Sequence, residues 1–238
     1  MSRRTRNSDT MKKTRAVFLQ CSLICVLPVF FADAEEVRPA GEQISMKWGH
    51  VNDDDGVRKV VSTEAEYNAH NRHGPITFYD VPFTNGIFSL SWKRDLSQKI
   101  NLVFETKEDG KVTHLFKVFV NGTPNKDHSK TNIISLVTYE SVAGSKKNKA
   151  TVRTEKYHAE AGKWHTASVA FDDNAATIRV DDETYLVKDD RFRKEVIKCG
   201  VGHIWGSLET KNVIVTKNQY AWRVARGAEY VYVAIVKN

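Results

Sequence analysis

Cysteine is scarce in this chain: three in 238 residues, two of which, Cys21 and Cys25, lie in the first 34. Beyond that point only Cys199 is left, which excludes an internal disulfide and a cysteine zinc cluster. Its context, Val196-Ile-Lys-Cys-Gly200, predicts a buried, inert thiol rather than a link between chains. Stability must then come from an apolar core. A glycine-rich phosphate loop, a Gly-x-Ser-x-Gly elbow and a nucleophilic cysteine setting are also missing. Their absence argues against P-loop, α/β-hydrolase and cysteine-nucleophile chemistry. No segment repeats at a fixed period.

Long apolar runs are confined to the N-terminus. Met11-Lys-Lys-Thr-Arg15 is a basic stretch, Ala16 to Phe31 is apolar, and Ala32-Asp-Ala34 offers small residues at the two positions a signal peptidase reads. Residues 1–34 are therefore expected to be a signal peptide cleaved before Glu35, with Met11 competing with Met1 as the true start. The expected destination is the periplasm or the exterior. The apolar run falls short of the roughly 20 residues a membrane span needs. Neither Cys21 nor Cys25 follows a small residue, as a lipid anchor would require.

An excess of one charge is missing as well. Six of the 36 Lys/Arg and two of the 29 Asp/Glu fall in residues 1–34, which leaves 30 against 27 and a net charge of +3. A nucleic-acid partner would call for a clustered basic stripe, so none is expected. Lys146-Lys-Asn-Lys149 reads as a solvated loop tip.

What remains is rich in strand signals. Gly162-Lys-Trp-His-Thr-Ala-Ser-Val-Ala-Phe171 alternates His165, Ala167, Val169 and Phe171 with Trp164, Thr166, Ser168 and Ala170. Ala176-Thr-Ile-Arg-Val-Asp181 and Thr184-Tyr-Leu-Val187 follow, joined by acidic turns. Period-two alternation is what a strand with one buried face requires. Similar runs begin at Ile76, Ile87, Ile100, His114, Ile133, Thr151, Val201, Asn212 and Glu229, separated by turn sequences such as Asn85-Gly86 and Lys107-Glu-Asp-Gly110. Residues 35–75 are polar, with a turn at Asp53–Gly56 and one first strand at Val57–Val61, and only Asp189–Lys198 suggests a helix. The expectation is a single all-β domain over 76–238, a sandwich or jelly roll.

Asn85-Gly-Ile-Phe-Ser-Leu-Ser-Trp92, Ile100-Asn-Leu-Val-Phe-Glu105, Gly162-Lys-Trp164, Ile178-Arg-Val-Asp181 and Lys211-Asn-Val-Ile-Val215 together resemble the concanavalin A-like (laminin G-like) jelly rolls. Within these, the chain looks most like exported bacterial proteins of the 3-keto-disaccharide hydrolase domain family. The resemblance implies two curved antiparallel sheets, with a concave face that handles carbohydrate in many relatives. Two departures stand out. The Asp-Gly turn usual after the strand is here Asp181-Asp182-Glu183, and the Asn-Ser-Gly-Ile segment of the hydrolase domain is not evident.

Candidate chemistry gathers between Ile100 and Val120. Asn101, Val103 and Glu105 share one strand face; on the next strand Leu115, Lys117 and Phe119 share one face, and His114, Phe116 and Val118 the other. In a hairpin turning at Gly110, Glu105 or Asn101 faces Lys117 or His114 according to register. Asn101 and Lys117 suit sugar hydroxyls, with Trp92 or Trp164 as stacking platforms for a pyranose ring. Glu105 and His114 are the acid/base candidates. The plainer readings are a cross-strand ion pair on a solvated face, and core tryptophans at Trp92 and Trp164. The paired carboxylates of Glu-x-Asp-x-x-Glu, used by retaining glycosidases among related jelly rolls, occur on no strand here, which argues against that mechanism.

No metal site is assigned and no cofactor is expected. Calcium is compatible with the acidic pairs Asp53-Asp54, Asp172-Asp173, Asp181-Asp182 and Asp189-Asp190, but none has calcium-loop spacing. His70-x-x-His73 is the one histidine pair at ligand spacing, and it lies in a loop. The leading expectation is an exported, carbohydrate-interacting protein. A hydrolase or lyase acting on 3-keto-glycosides is the second, and a structural or adhesive envelope protein the third.

Overall fold

The computed structural model describes residues 34–95, 99–122, 132–140, 148–217, 222–226 and 229–233. Of the expected signal peptide only Ala34 is among them, and Lys146 and Lys147 of the basic run also lie outside the described residues.

Alternation resolves into sheets as the sequence predicts. The strand Gly86–Arg94 buries every second side chain, because one face of each strand meets the opposite sheet and the other does not. Numbered along the chain, the first sheet runs from edge to edge as β13 (Glu183–Lys188), β12 (Ala175–Val180), β11 (His165–Asp172), β6 (Gly86–Arg94), β15 (Gly206–Lys217), β4 (Val57–Ser62) and β3 (His50–Asp54). β1 (Glu35–Val37) pairs with the end of β15. The second sheet runs β10 (Asn148–Lys156), β9 (Ile133–Glu140), β8 (Lys111–Val120), β7 (Ile100–Glu108), β14 (Lys198–His203), β5 (Ile76–Tyr79) and β2 (Ile44–Met46). β16 (Trp222–Arg226) and β17 (Glu229–Val233) pair with each other. The chain crosses between sheets at β1–β2, β2–β3, β4–β5, β5–β6, β6–β7, β10–β11, β13–β14 and β14–β15.

Aromatic side chains fill the space between the sheets. Phe171 of β11 lies 5.0 Å from Phe104 of β7, edge to face, and 5.5 Å from Phe192 in the 3-10 turn Asp190–Arg193. Phe116 of β8 meets Phe192 at 5.2 Å. Such tilted pairs contribute about 0.5–1.5 kcal/mol each beyond area burial. Cys199 is buried against the Tyr79 carbonyl, and burial pushes its thiol pKa up, so it is an inert core residue.

The structure differs from the sequence reading in residues 35–75. That segment holds four strands and a helix, α1 (Glu64–Ala69), not one strand. β1 and β2 are three residues long, too short for periodicity, and all five residues of β3 are exposed, so none alternates. α1 carries a capping box: Thr63 Oγ1 accepts from the Glu66 N–H while Glu66 Oε2 accepts from the Thr63 N–H. Conversely, the expected helix at Asp189–Lys198 is only the 3-10 turn, because Lys198 already belongs to β14.

Candidate functional site

The β7–β8 hairpin closes on Asp109 and Gly110, whose φ values of 49° and 75° are both positive. This is the geometry a two-residue hairpin turn needs to match the strand twist. From the turn the two strands pair as Glu105 with His114, then Phe104 with Phe116, Val103 with Lys117 and Asn101 with Phe119. The register slips by one residue at Leu115, a β-bulge. Leu115 and Phe116 both enter the core, at 1 % and 0 % exposure. Unbroken alternation would set His114 and Lys117 on opposite faces. The bulge returns His114 to the outer face, so Asn101, Glu105, His114 and Lys117 all share the side turned away from the first sheet.

Neighbouring strands extend this face. On β14, Lys198 pairs with Glu105, Gly200 with Val103 and Gly202 with Asn101. A Cβ at Gly200 would stand 2.8 Å from the Phe78 ring, so glycine lets that ring lie against the strand. On β9, Val137 pairs with Lys117 and Ser135 with Phe119.

His114 Nδ1 lies 3.2 Å from Glu105 Oε1, with the His114 ring 5.4 Å from Tyr139. Burial raises the Glu105 pKa, but the His114 hydrogen bond and the charges of His114, Lys117 and Lys198 outweigh it and hold the carboxyl below its ordinary range. Burial pushes Lys117 down to about 8 despite Glu105, and Lys47, Lys149 and Lys99 push the same way. Its Nζ lies 5.5 Å from the Tyr139 ring centre. Lys99, 9 % exposed, stands 5.2 Å over Phe119 and is pushed down to about 8 by burial, with Lys149 adding to it. Burial raises Tyr139 to about 12. Asn101 Oδ1 is buried without a hydrogen-bond partner among the described residues. The face therefore carries an ionised carboxylate and amines that titrate near 8, with the Asn101 amide oxygen buried beneath it.

Trp92 does not belong to this set. It is fully buried in the first sheet and stacks on His165 at 4.7 Å, so no ring face is available to a sugar. Trp164 is exposed instead, 37 % accessible, with Lys211 Nζ 4.1 Å and Lys93 Nζ 5.1 Å from its ring centre. Lys99, Lys198 and Tyr139 are neighbours of the hairpin that the strand pattern does not announce. Tyr139 alternates with Val137 and was legible as a face residue, but Lys198 joins only through the pairing of β14 with β7.

Several acidic turns are engaged by the protein itself. Arg58 donates to Asp53, Arg191 to Asp189 and Arg193 to Asp173. Asp181 accepts from the Thr166 N–H at 2.8 Å, from Tyr157 at 2.7 Å, and lies 2.7 Å from His165 Nδ1. His70 stacks on Trp48 at 4.3 Å, while His73 Nδ1 contacts the Asn71 carbonyl. Among the described residues no three His, Cys, Asp or Glu side chains are placed to hold a metal ion. No described helix is long and apolar enough to cross a membrane.

No protein-family model and no curated protein sequence matches this chain. Solved structures do resemble it. The carbohydrate binding module CBM66 from Bacillus subtilis is 14 % identical, with 72 % of this chain and 93 % of that one covered, at a TM-score of 0.51. The CBM2 module of Lactobacillus casei BL23 phage J-1 evolved Dit is 13 % identical, covering 79 % of this chain and 98 % of that one, at 0.53. At this identity the likeness is one of fold. With the two antiparallel sheets, it makes the protein an all-β jelly-roll sandwich.

Proposed function

We propose that this protein is an exported carbohydrate-binding β-sandwich that takes saccharide on the outer face of its second sheet. The observation that carries the reading is the shared face of Asn101, Glu105, His114 and Lys117 around the Leu115 bulge. Sugar hydroxyls need donors and acceptors side by side, and this face sets the Glu105 carboxylate, the His114 imidazole and the Lys117 amine together. The resemblance to a carbohydrate binding module supports the class of ligand. A glycan array followed by calorimetry tests it. Binding that weakens at least about tenfold in Asn101→Ala, a loss of about 1.4 kcal/mol, is expected; no binding at millimolar saccharide by the folded protein overturns it. Export is supported by the N-terminal basic–apolar–small pattern. Sequencing of the secreted protein should find Glu35 first.

A second reading is favoured by the 3.2 Å contact between Glu105 and His114: hydrolysis or elimination on a 3-keto-glycoside. A 3-keto group acidifies the neighbouring C–H, which a carboxylate–imidazole pair can deprotonate. Release of a keto-sugar from an oxidised disaccharide, lost in Glu105→Gln and in His114→Ala, supports it. Equal rates in both variants exclude these residues.

A further inference from the structure

We infer a second saccharide site on the outer face of the first sheet, where the exposed ring of Trp164 is a stacking platform for a pyranose. It shares its ligand class with the β7–β8 face and none of its residues.

Strand pairing builds the platform. Trp92 of β6 pairs with His165 of β11 and with Thr210 of β15, and all three are buried. Their chain neighbours Trp164, Lys93 and Glu209 therefore take the opposite, outer face. Glu209 pairs with Lys93 on one side and Lys59 on the other. Its carboxylate lies 2.5 Å from Lys93 Nζ and 3.6 Å from Lys59 Nζ. Lys211, two residues along β15, sets its Nζ 4.1 Å from the Trp164 ring centre. An aromatic surface, ammonium donors and a carboxylate acceptor thus meet in one patch.

The loop that delivers Trp164 is held from beneath. The Ala159 carbonyl accepts from Asn121 Nδ2 at 2.9 Å and from Arg94 Nε at 3.1 Å, while the Ala159 N–H donates to Asn121 Oδ1. The Gly162 N–H donates to the Arg94 carbonyl at 2.7 Å, and His165 Nε2 lies 2.9 Å from the Glu160 carbonyl. Asn121 and Arg94 are themselves buried, at 2 % and 9 % exposure. The indole is therefore presented to solvent by a fixed backbone, and a platform ordered in advance loses less entropy when a ligand arrives.

A pyranose uses the whole patch. Its C–H face covers the indole, while hydroxyls at its edge accept from Lys211 and donate to Glu209. A bare anion would use the amines alone and an alkyl chain the indole alone. With saccharide sites on both sheets, one molecule can bridge two glycan chains.

Oxidative footprinting tests the site. The purified protein is treated with N-bromosuccinimide, alone and with millimolar cellohexaose, laminarihexaose, chitohexaose or inorganic sulfate, and oxidation of each tryptophan is followed by mass spectrometry. At least one hexasaccharide should slow oxidation of Trp164 several-fold, and sulfate should not. In Asn101→Ala, which lies on the other sheet, this protection should persist. In calorimetry, Trp164→Ala should weaken binding of the protecting sugar by about tenfold or more, and Lys211→Gln by less. Far-UV circular dichroism should show both variants folded. Equal protection by sulfate, or no protection of Trp164 by any hexasaccharide, overturns the inference. Saccharide binding that Asn101→Ala abolishes while Trp164 stays unprotected overturns this site and leaves the β7–β8 face standing; protection that Asn101→Ala does not alter supports this site whatever becomes of the other.

Discussion

Glu105 and His114 face each other across the β7–β8 hairpin, Oε1 to Nδ1 at 3.2 Å, only because Leu115 is bulged between them and Lys117. With Leu115 held in unbroken alternation the imidazole would turn toward the core. Burial lowers the Lys117 pKa and Glu105 is the carboxylate that opposes this, so the two groups are electrostatically linked.

Glu105→Gln should therefore be felt at Lys117. Removing the carboxylate takes away the attraction that opposes burial, and the amine should titrate below about 8. The rate of amine modification at Lys117 against pH measures it, with peptides resolved by mass spectrometry. Stability should fall by about 1–3 kcal/mol, since a buried charged hydrogen-bond partner is lost. An unchanged Lys117 profile contradicts the geometry.

Trp92 in β6 and Trp164, just before β11, should behave oppositely. Trp92→Ala opens a cavity in the core and should cost about 3–5 kcal/mol. Trp164→Ala forfeits ring contacts with Lys93 and Lys211 at a partly exposed site and should cost about 1 kcal/mol or less. Chemical denaturation of both variants measures the contrast. Mild oxidation of the native protein should modify Trp164 before Trp92.

Asp181 ties the β11–β12 corner to Tyr157 and His165. Burial raises its pKa, but the Thr166 N–H and the His165 and Tyr157 hydrogen bonds outweigh this and depress it. A depressed carboxyl contributes stability that is present above its ordinary value of 3.8 and lost as pH falls through the lower native value. Asp181→Asn should cost about 1–3 kcal/mol near pH 6. Its stability should also decline less steeply on acidification than the parent's, as followed by urea unfolding.

Alkaline pH should first stabilise the protein. Lys117 and Lys99 titrate near 8 in the folded chain against 10.5 ordinarily, so between those values the unfolded chain binds more protons and stability rises with pH. Tyr79 and Tyr139 oppose this above about pH 10, since burial holds both near 12 when folded. The unfolding midpoint should climb from pH 8 toward 10 and then fall. Lys117→Met should flatten the climb, and a slope equal to the parent's would count against a buried amine.

Acid pH should expose His203. Its ring is 1 % accessible, and burial lowers its pKa to about 4, so it is neutral in the fold. Stability should drop as pH falls from 6.5 to 4, where the unfolded ring gains its proton first. His203→Gln should remove that part of the loss in the same titration.

Much of the architecture was readable from residue order, because a strand between two sheets must alternate. His165, Ala167, Val169 and Phe171 announced their buried face, and Asp109-Gly110 announced a hairpin, through local chemistry alone. β3, with five exposed residues, had no pattern to read. Thr63-Glu66 did carry a helix-start signature, written in capping groups rather than periodicity.

The candidate site divides along the same line. Residue order determined that Asn101 and Glu105 share a face, since they are four residues apart on one strand. Only the tertiary structure decided that His114 and Lys117 join them, because a bulge breaks the period that residue order obeys. It also decided that Trp92 is core and Trp164 surface. Both tryptophans sit in strand-like segments, and nothing within a segment says which of its faces meets the opposite sheet. The lysines beside the hairpin are likewise placed by tertiary structure: β14 lies against β7 and Lys99 folds over Phe119, contacts between residues that sequence proximity does not connect.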